Sequence, residues 1–476
     1  MTRGRTAAVW AAGLLGAVCA ARAQEEANPL DQALRKMAGV YALVEANAAG
    51  PVDANHAFYD GALPAMLRRL DPHSVFFTPG QFEQLREMQR SETKGFGTVV
   101  SILPGRVIVL QTVEGTPSAR VGLQPGDEIV AVNNIRLDRL TPDQLIALLT
   151  ETRRAEALLY VHRSTSPRLL EFRMKPEAME SPSVDRAFLL RPGAGYARIT
   201  SFEGETGKQL REALEKLGGR ELKAFVLDLR GNPGGMIDSA VAAAGLFLEP
   251  GQVVMSTRGR AKPNEEVKTP ASGTPYRFAM AVLVDEKSAS AAEILAGALQ
   301  DHGRAKVVGT RSYGKGLVQS IYPLSQGTGI ALTTAFYFTP KGRLIQRALS
   351  EGQLAAHGEG GLRPDIEVQP EHPTRLRAFL DVSGLFTTFA TEFVKSTPGI
   401  TAGFDVSNEL LDRFQGFLAD RKVTPGVSEW SRDREWIRSR LKQDILNQAV
   451  GVAQGDEVEM QRDAQVKRAL LELGVL

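Results

Sequence analysis

Apolar residues recur every three or four positions through residues 29–92, at Leu30, Leu34, Met37, Ala38, Tyr41 and Val44, which is helix spacing. Asp71-Pro-His-Ser74 interrupts the pattern, and Pro79 to Met88 begins another helix. Further on, Pro125-Gly126-Asp127 signals a turn, and Ile129, Ala131 and Asn133 alternate with Val130 and Val132 as in a strand. Thr141 to Glu151 fits a helix. From 180 to 370 short apolar runs alternate with helical stretches. Ala224–Leu229, Ala279–Val284, Lys306–Val308 and the longer Gly329–Thr339 read as strands; Met236–Leu248 and Ser290–Asp301 read as helices. That alternation predicts an α/β core. Beyond 374 three helix faces follow: Leu376, Phe379, Leu380, Phe386, Phe389 and Phe393; Leu410, Leu411, Phe414, Phe417 and Leu418; Trp436, Ile437, Leu441 and Ile445. They predict a helical collar on the core, with an oligomerisation module as the alternative.

The 476 residues are enough for roughly three domains. The N-terminus differs from the rest. Arg3 and Arg5 precede the uncharged, small-residue-rich run Thr6–Ala21, and Ala21-Arg-Ala23 closes it. This is the pattern of a signal peptide cleaved after Ala23, and the run is short for a membrane span of about 20 apolar residues. The expected location is therefore exported, periplasmic or otherwise extracytoplasmic. The single cysteine, Cys19, lies in this segment behind Val18, where a lipidation signal would want a small residue. The mature chain then has no disulfide or thiol chemistry. Cleavage removes three of 57 basic residues and none of 55 acidic ones, leaving a net charge of about −1 that gives no reason to expect nucleic acid. None of the six histidines falls in a metal-binding spacing, and no metal or cofactor is expected.

The candidate chemistry lies in two short segments. Ser290 sits in Asp285-Glu-Lys-Ser-Ala-Ser-Ala-Ala-Glu293, between a predicted strand and a predicted helix. A serine there faces free backbone N–H groups and the positive end of the helix dipole. Ser290-Ala-Ala-Glu293 is also a capping box, which starts helices without any catalytic role. Ser288 is an equally placed hydroxyl on sequence grounds. Lys315 lies in Ser312-Tyr-Gly-Lys-Gly-Leu-Val-Gln319, bracketed by glycines. A lysine in an apolar pocket can lose its proton and act as a base. Ser312-Tyr-Gly-Lys315 matches S-x-x-K literally, but that chemistry needs a helix, which Gly314 and Gly316 disfavour. His302 would lie on the order of 18 Å from Ser290 along a helix rising 1.5 Å per residue, too far for a Ser-His pair. Asp228-Leu-Arg-Gly-Asn-Pro-Gly-Gly235 follows a buried strand, where N–H groups at the strand's C-terminal end can meet a ligand. The combination indicates a serine hydrolase that does without histidine.

Four segments together resemble the C-terminal processing peptidases, also called tail-specific proteases: Val282–Asp301, Val308–Gln319, Asp228–Gly235 and Leu332–Arg343. The likeness runs from about Leu70 to about Pro370. It implies a multidomain α/β protein, with a peptidase core similar to crotonase and the Clp peptidases, an inserted β-rich PDZ domain, and helical N- and C-terminal regions. The corresponding divisions are 1–23 signal peptide, 24–92 helical arm, 93–177 PDZ domain, 178–372 peptidase core and 373–476 C-terminal extension. By the family's spacing Ser290, rather than Ser288, is the nucleophile. Lys315 is the base and Gln319 orients it. Ala291 with Gly234 or Gly235 forms the oxyanion hole, Glu293 ties down the first helical turn, and Asp301 supports the site through a cap or salt bridge. Gly122–Asn133 resembles the PDZ signature, and the carboxylate loop falls at Lys94-Gly-Phe-Gly-Thr98. Gly95, Phe96, Gly97 and Thr98 thus become the peptide-binding residues, although Thr98 and Val99 depart from the usual Gly-Gly-Ile-Gly. The expected function is an exported serine endopeptidase that captures free protein C-termini and cleaves with a Ser–Lys dyad. The alternative is a non-catalytic PDZ scaffold. A homo-oligomer and an activating partner protein stay open. The tail Ala469–Leu476 could either dock in the chain's own PDZ domain or pack as a last helical turn on the collar.

Overall fold

The computed structural model describes residues 28–89, 92–103, 105–153, 155–163, 165–180, 182–261, 263–348 and 358–476. The segment expected to be a signal peptide, with Cys19 and Ala23, lies outside them. Two compact units divide between Leu67 and Arg68. In the first, α1 (Pro29–Asn47) starts at Asn28, whose side chain accepts the Leu30 N–H. A π-helical turn (His56–Ala62) leads to α2 (Leu63–Arg68), and Tyr41 packs near Phe58. The periodic apolar face of α1 is there, but none of its residues is buried.

The second unit opens with a departure from the helical reading of 29–92. Val75–Phe77 is a strand, β1, ahead of α3 (Pro79–Gln89). The chain then enters the PDZ domain through β2 (Glu92–Gly95) and continues as β3 (Thr98–Leu103), β4 (Arg106–Thr112), α4 (Pro117–Arg120), β5 (Glu128–Val132), β6 (Ile135–Arg136), α5 (Pro142–Thr152), β7 (Ala157–His162), β8 (Leu170–Met174) and β9 (Glu177–Glu180). β9 pairs with β2, so entry and exit strands close the domain as one ribbon. Alternation in β5 stops before Asn133. Asn133 and Asn134 both take positive φ and form the turn to β6, and Val132 is buried. Thr141 caps α5 in a reciprocal capping box with Gln144. The β3–β4 hairpin reaches the C-terminal helices: the Arg106 guanidinium donates to Thr388 Oγ1 at 2.6 Å, and Gln111 Oε1 accepts the Val452 N–H.

The α/β core follows as β10 (Val184–Arg191), β11 (Ala194–Ile199), α6 (Thr206–Lys216), β12 (Ala224–Asp228), α7 (Ile237–Ala244), β13 (Val253–Arg258), β14 (Glu265–Lys268), β15 (Ala279–Val284), α8 (Ala291–Asp301), β16 (Lys306–Gly309), β17 (Leu317–Pro323), β18 (Gly329–Phe338) and β19 (Ile366–Glu367). Its central sheet runs β10-β11-β12-β15-β16-β19, parallel except for β10. An antiparallel sheet, β1-β18-β13-β14 with β17 also on β18, lies beyond α8. Central strands are continuous apolar runs because both faces are covered. Phe225, Leu227, Met280, Val282 and Val284 point into one cluster with α7 and α8. Val226, Ala281, Leu283 and Val308 point into the other. Every residue of α8 from Ala291 to Leu299 is buried.

The C-terminal region contains more helices than the three expected: α9 (Arg375–Ser383), α10 (Leu385–Ser396), α11 (Asn408–Asp420), α12 (Val427–Ala449), α13 (Val452–Arg462) and α14 (Ala464–Glu472). α9 to α12 share their own aromatic core, including Phe386, Phe389 and Phe414. α14 does something different. Val466, Ala469 and Leu470 cover the second face of the central sheet, and Leu473 and Val475 pack against the same cluster. The tail is packed, as a last helical turn would be, but against the central sheet and not on the collar, because its apolar face meets Val226, Ala281 and Leu283. Leu470→Ala should cost roughly 2–5 kcal/mol, the range for emptying a buried leucine site. Thermal or denaturant unfolding of the full chain checks this, and an unshifted midpoint would contradict the layer assignment.

Candidate active site

The site is assembled where β12 and β15 end. After β15, Asp285 Oδ1 accepts the N–H groups of Lys287 and Ser288 (3.0 Å each) and of Gly231 (2.9 Å). Ser288 is fully buried. Its hydroxyl donates to the Leu229 carbonyl at 2.8 Å and accepts the Asp285 N–H at 2.9 Å. That commitment gives the Ser288 hydroxyl a structural role in the turn. Ser290 has φ 55° and ψ −116°, a backbone state costly for any residue but glycine. It is held there by its N–H to Glu293 Oε2 at 2.9 Å, and by its carbonyl, which accepts from Tyr337 Oη at 3.2 Å.

Glu293 joins the two candidate segments. Its carboxylate is fully buried. Oε2 accepts the Ser290 and Lys315 N–H groups at 2.9 Å each; Oε1 accepts the Gly314 N–H at 2.8 Å and the Ser312 hydroxyl. Burial pushes this carboxyl up, while the Ser312, Lys315, Gly314 and Ser290 donors pull it down. Ser312 also accepts the Leu362 N–H at 2.6 Å, so its hydroxyl is buried and engaged on both sides. The S-x-x-K coincidence thus has a structural explanation.

Lys315 is half-buried, and its Nζ donates to Gln319 Oε1 at 2.8 Å. Burial lowers its pKa below the ordinary lysine value, opposed by the charges of Asp71 and Glu293. Gln319 Nε2 in turn donates to the His73 carbonyl at 2.6 Å. The His73 imidazole is pushed down by burial and by Lys315.

On the opposite loop, Asn232 is fully buried and acts as a bracket. Its Nδ2 donates to the Ile199 carbonyl, its Oδ1 accepts the Gly234 N–H, each at 2.8 Å, and its carbonyl accepts the Ala289 N–H at 2.9 Å. The N–H of Gly234 is therefore occupied. Among the described residues, the N–H groups of Gly235 and Ala291 donate no hydrogen bond. Gly235 has φ 143°, and a Cβ there would fall 2.1 Å from the Phe202 carbonyl oxygen. A Cβ on Gly234 would meet that of Ser290 at 2.7 Å, which shows how closely the loop lies on the serine. The Asp228 and Arg230 of the same motif are structural. Arg230 binds Asp228 and also Asp463 and Gln465 at the start of α14.

Asp301, at the far end of α8, pairs with Arg343 and accepts the Lys341 N–H at 2.9 Å, fixing the turn after β18. His302 bonds the Val253 carbonyl at 2.7 Å and takes no part in the site. In the PDZ domain, Gly95, Phe96, Gly97 and Thr98 line a cavity of about 360 Å³ together with Val100, Ile129 and Leu149. Gly97 has φ 75°, and a Cβ would collide with Thr116 at 2.2 Å. β3 is an edge strand beside this groove. Among the described residues no group of three or more metal-ligating side chains converges, and no helix is long and apolar enough to cross a membrane. Sequence reading did not single out Asp71, His73, Asn232 or Tyr337. The Asp-Pro break was the only signal for the first two.

The fold and the site define a serine-type peptidase core carrying a PDZ domain. Residues 193–368 match peptidase family S41, and 108–163 match the PDZ domain family. A carboxy-terminal-processing protease of Bartonella bacilliformis is 31% identical over 67% of this chain and 71% of its own. A carboxyl-terminal-processing protease of Synechocystis is 33% identical over 59% of this chain and 66% of its own. A probable serine protease of Staphylococcus aureus is 29% identical over 72% of this chain and 66% of its own. The chain belongs to peptidase family S41, the carboxy-terminal-processing proteases.

The Glu293 clamp yields a direct test. In Glu293→Gln a single carbonyl oxygen can serve at most two of the four donors, and the amide NH₂ faces the others. Stability should fall by on the order of 3 kcal/mol, from two unsatisfied buried donors. Cleavage of an unstructured protein should fall at least a hundredfold. A variant with unchanged melting and turnover would show that the clamp is dispensable.

Proposed function

We propose that the chain is an exported endopeptidase that reads free protein C-termini through its PDZ domain and cleaves with a Ser290–Lys315 dyad. The observation that carries this reading is the hydrogen bond from Lys315 Nζ to the neutral amide of Gln319, on a lysine whose burial favours the uncharged amine. A carboxylate at 319 would favour the ammonium instead. Neutral Lys315 takes the Ser290 proton, and the alkoxide attacks the scissile carbonyl. The developing oxyanion is met by the Ala291 and Gly235 N–H groups, both free of other partners among the described residues. Lys315 then protonates the leaving amine and activates water for deacylation. Asp301 and Glu293 support this arrangement from α8. The substrate's terminal residues add to the edge of β3, with the carboxylate on the N–H groups of the Gly95–Thr98 loop. Export rests on the Arg3 to Ala23 pattern.

Ser290→Ala and Lys315→Ala should each abolish cleavage of an unstructured substrate while leaving melting near wild type. Because the active base is neutral and its pKa is depressed, kcat/KM should rise with pH through that value and be lost below it. Lys315→Arg should be inactive at every pH, since guanidinium stays protonated. Cleavage by Lys315→Arg, or by Ser290→Ala, would remove the dyad.

The tail reader is tested separately. Amidating a substrate's C-terminus should lower kcat/KM at least tenfold, and Gly97→Val should produce a similar loss on the free-acid substrate. Equal rates for acid and amide would refute carboxylate capture.

A further inference from the structure

The turn Asp71-Pro-His-Ser74 lies far from the dyad in sequence and directly behind it in space. Asp71 is fully buried. Its Oδ1 accepts the His73 N–H at 2.7 Å, the Ser74 N–H at 2.9 Å and the Thr333 hydroxyl at 3.1 Å; its Oδ2 accepts the Ser74 hydroxyl at 2.7 Å. Ser74 Oγ accepts the Thr333 N–H at 3.1 Å. Thr333 is the β18 residue paired with Gln319 of β17, next to a register shift at Val318/Gln319. One carboxylate therefore fixes both the turn and the strand position opposite the glutamine. The turn's outward product is the His73 carbonyl, which accepts Gln319 Nε2 at 2.6 Å.

We infer that the Asp71–Ser74 turn is a positioning element for the base: its His73 carbonyl holds the Gln319 amide in the one orientation that offers an acceptor to Lys315 Nζ. This deepens the Ser–Lys reading and rests on it. The two ends of an amide are nearly the same in shape and opposite in hydrogen-bonding character. A carbonyl can only accept, so it selects the NH₂ end and leaves Oε1 facing the lysine. A neutral amine has two N–H bonds and one lone pair. Tying one N–H to Oε1 restricts rotation about Cε–Nζ and steadies the lone pair for the proton it must take. Without the turn the amide could flip and present N–H groups to Nζ, occupying that lone pair. Asp71 touches no reacting atom and acts through Gln319. The other titratable groups facing Lys315 are Glu293 and His73.

The test is a double-mutant cycle on the full-length mature enzyme, read with a quenched peptide across pH. Asp71→Ala should lower plateau kcat at least tenfold and leave KM within about twofold. Asp71→Asn, which keeps an acceptor for the turn, should recover much of that loss. Both should move the acid limb of kcat/KM to lower pH, because a negative charge that favours protonated Lys315 is gone. Combining Asp71→Asn or Asp71→Ala with Gln319→Leu should be no worse than Gln319→Leu alone. The inference is overturned by wild-type kcat in folded Asp71→Ala, by an unmoved limb, or by losses that multiply in the double variants. If Asp71→Ala does not fold, the Asp71→Asn limb and its cycle decide in the same way. Ser290→Ala and Lys315→Ala run alongside. Both inactive beside a wild-type Asp71→Ala overturns this inference alone, whereas an active Ser290→Ala overturns the reading beneath it.

Discussion

The buried Glu293 carboxylate is the constraint on which the site depends. Two segments twenty-odd residues apart must meet, and each is in a conformation the backbone does not favour alone. Ser290 sits at positive φ, and the lysine segment is irregular between β16 and β17. A carboxylate with four acceptor positions is the simplest single group that can hold three N–H donors and a hydroxyl drawn from both. Burying it is costly, and that cost is offset only while all four donors are in place. The clamp is therefore close to all-or-none. Loosening either segment weakens the desolvated charge that organises the other.

The same economy shapes the wider fold. α8 is buried along its length between two sheets, so its N-terminus cannot shift without repacking both. Asp301 pins the other end to the turn after β18. The central sheet that aims the Ser290 turn needs its second face covered, and α14 covers it. Arg230, two residues beyond β12, ties the Asp228–Gly235 loop to Asp463 and Gln465 at the start of that helix. The end of the chain is thus a layer of the catalytic domain.

Much of this was legible in sequence. The central strands were readable because two-sided burial makes them unbroken apolar runs, and β15 and α8 fall where those runs place them. Ser290, Lys315 and Gln319 were readable as a constellation, through likeness to a family. What was not readable depends on which hydrogen-bond donors remain free. Ser288 is set apart by the bonds its hydroxyl has already made, and Gly234 by the Asn232 oxygen that has taken its N–H. The Gln319–His73 bond spans 246 positions and ends on a backbone carbonyl, which no side-chain pattern encodes. The role of α14 was hidden for a related reason. An amphipathic helix shows that one face is buried but not against what.

The capping-box reading of Ser290 and the nucleophile reading were never true rivals. The residue at a helix N-cap already has non-helical φ and ψ, and stands beside the N–H groups that the first turn leaves unbonded. At Ser290 the turn is tighter than an ordinary N-cap, with positive φ, and its N–H is bound by Glu293 three residues later. In an ordinary capping box the glutamate's second oxygen faces solvent. Here both oxygens face inward, and Oε1 is spent on the Ser312 hydroxyl and the Gly314 N–H of the lysine segment. A common helix-start motif thereby serves as the joint between the Ser290 and Lys315 segments. The carboxylate that holds the strained serine's N–H also holds the backbone of the lysine segment.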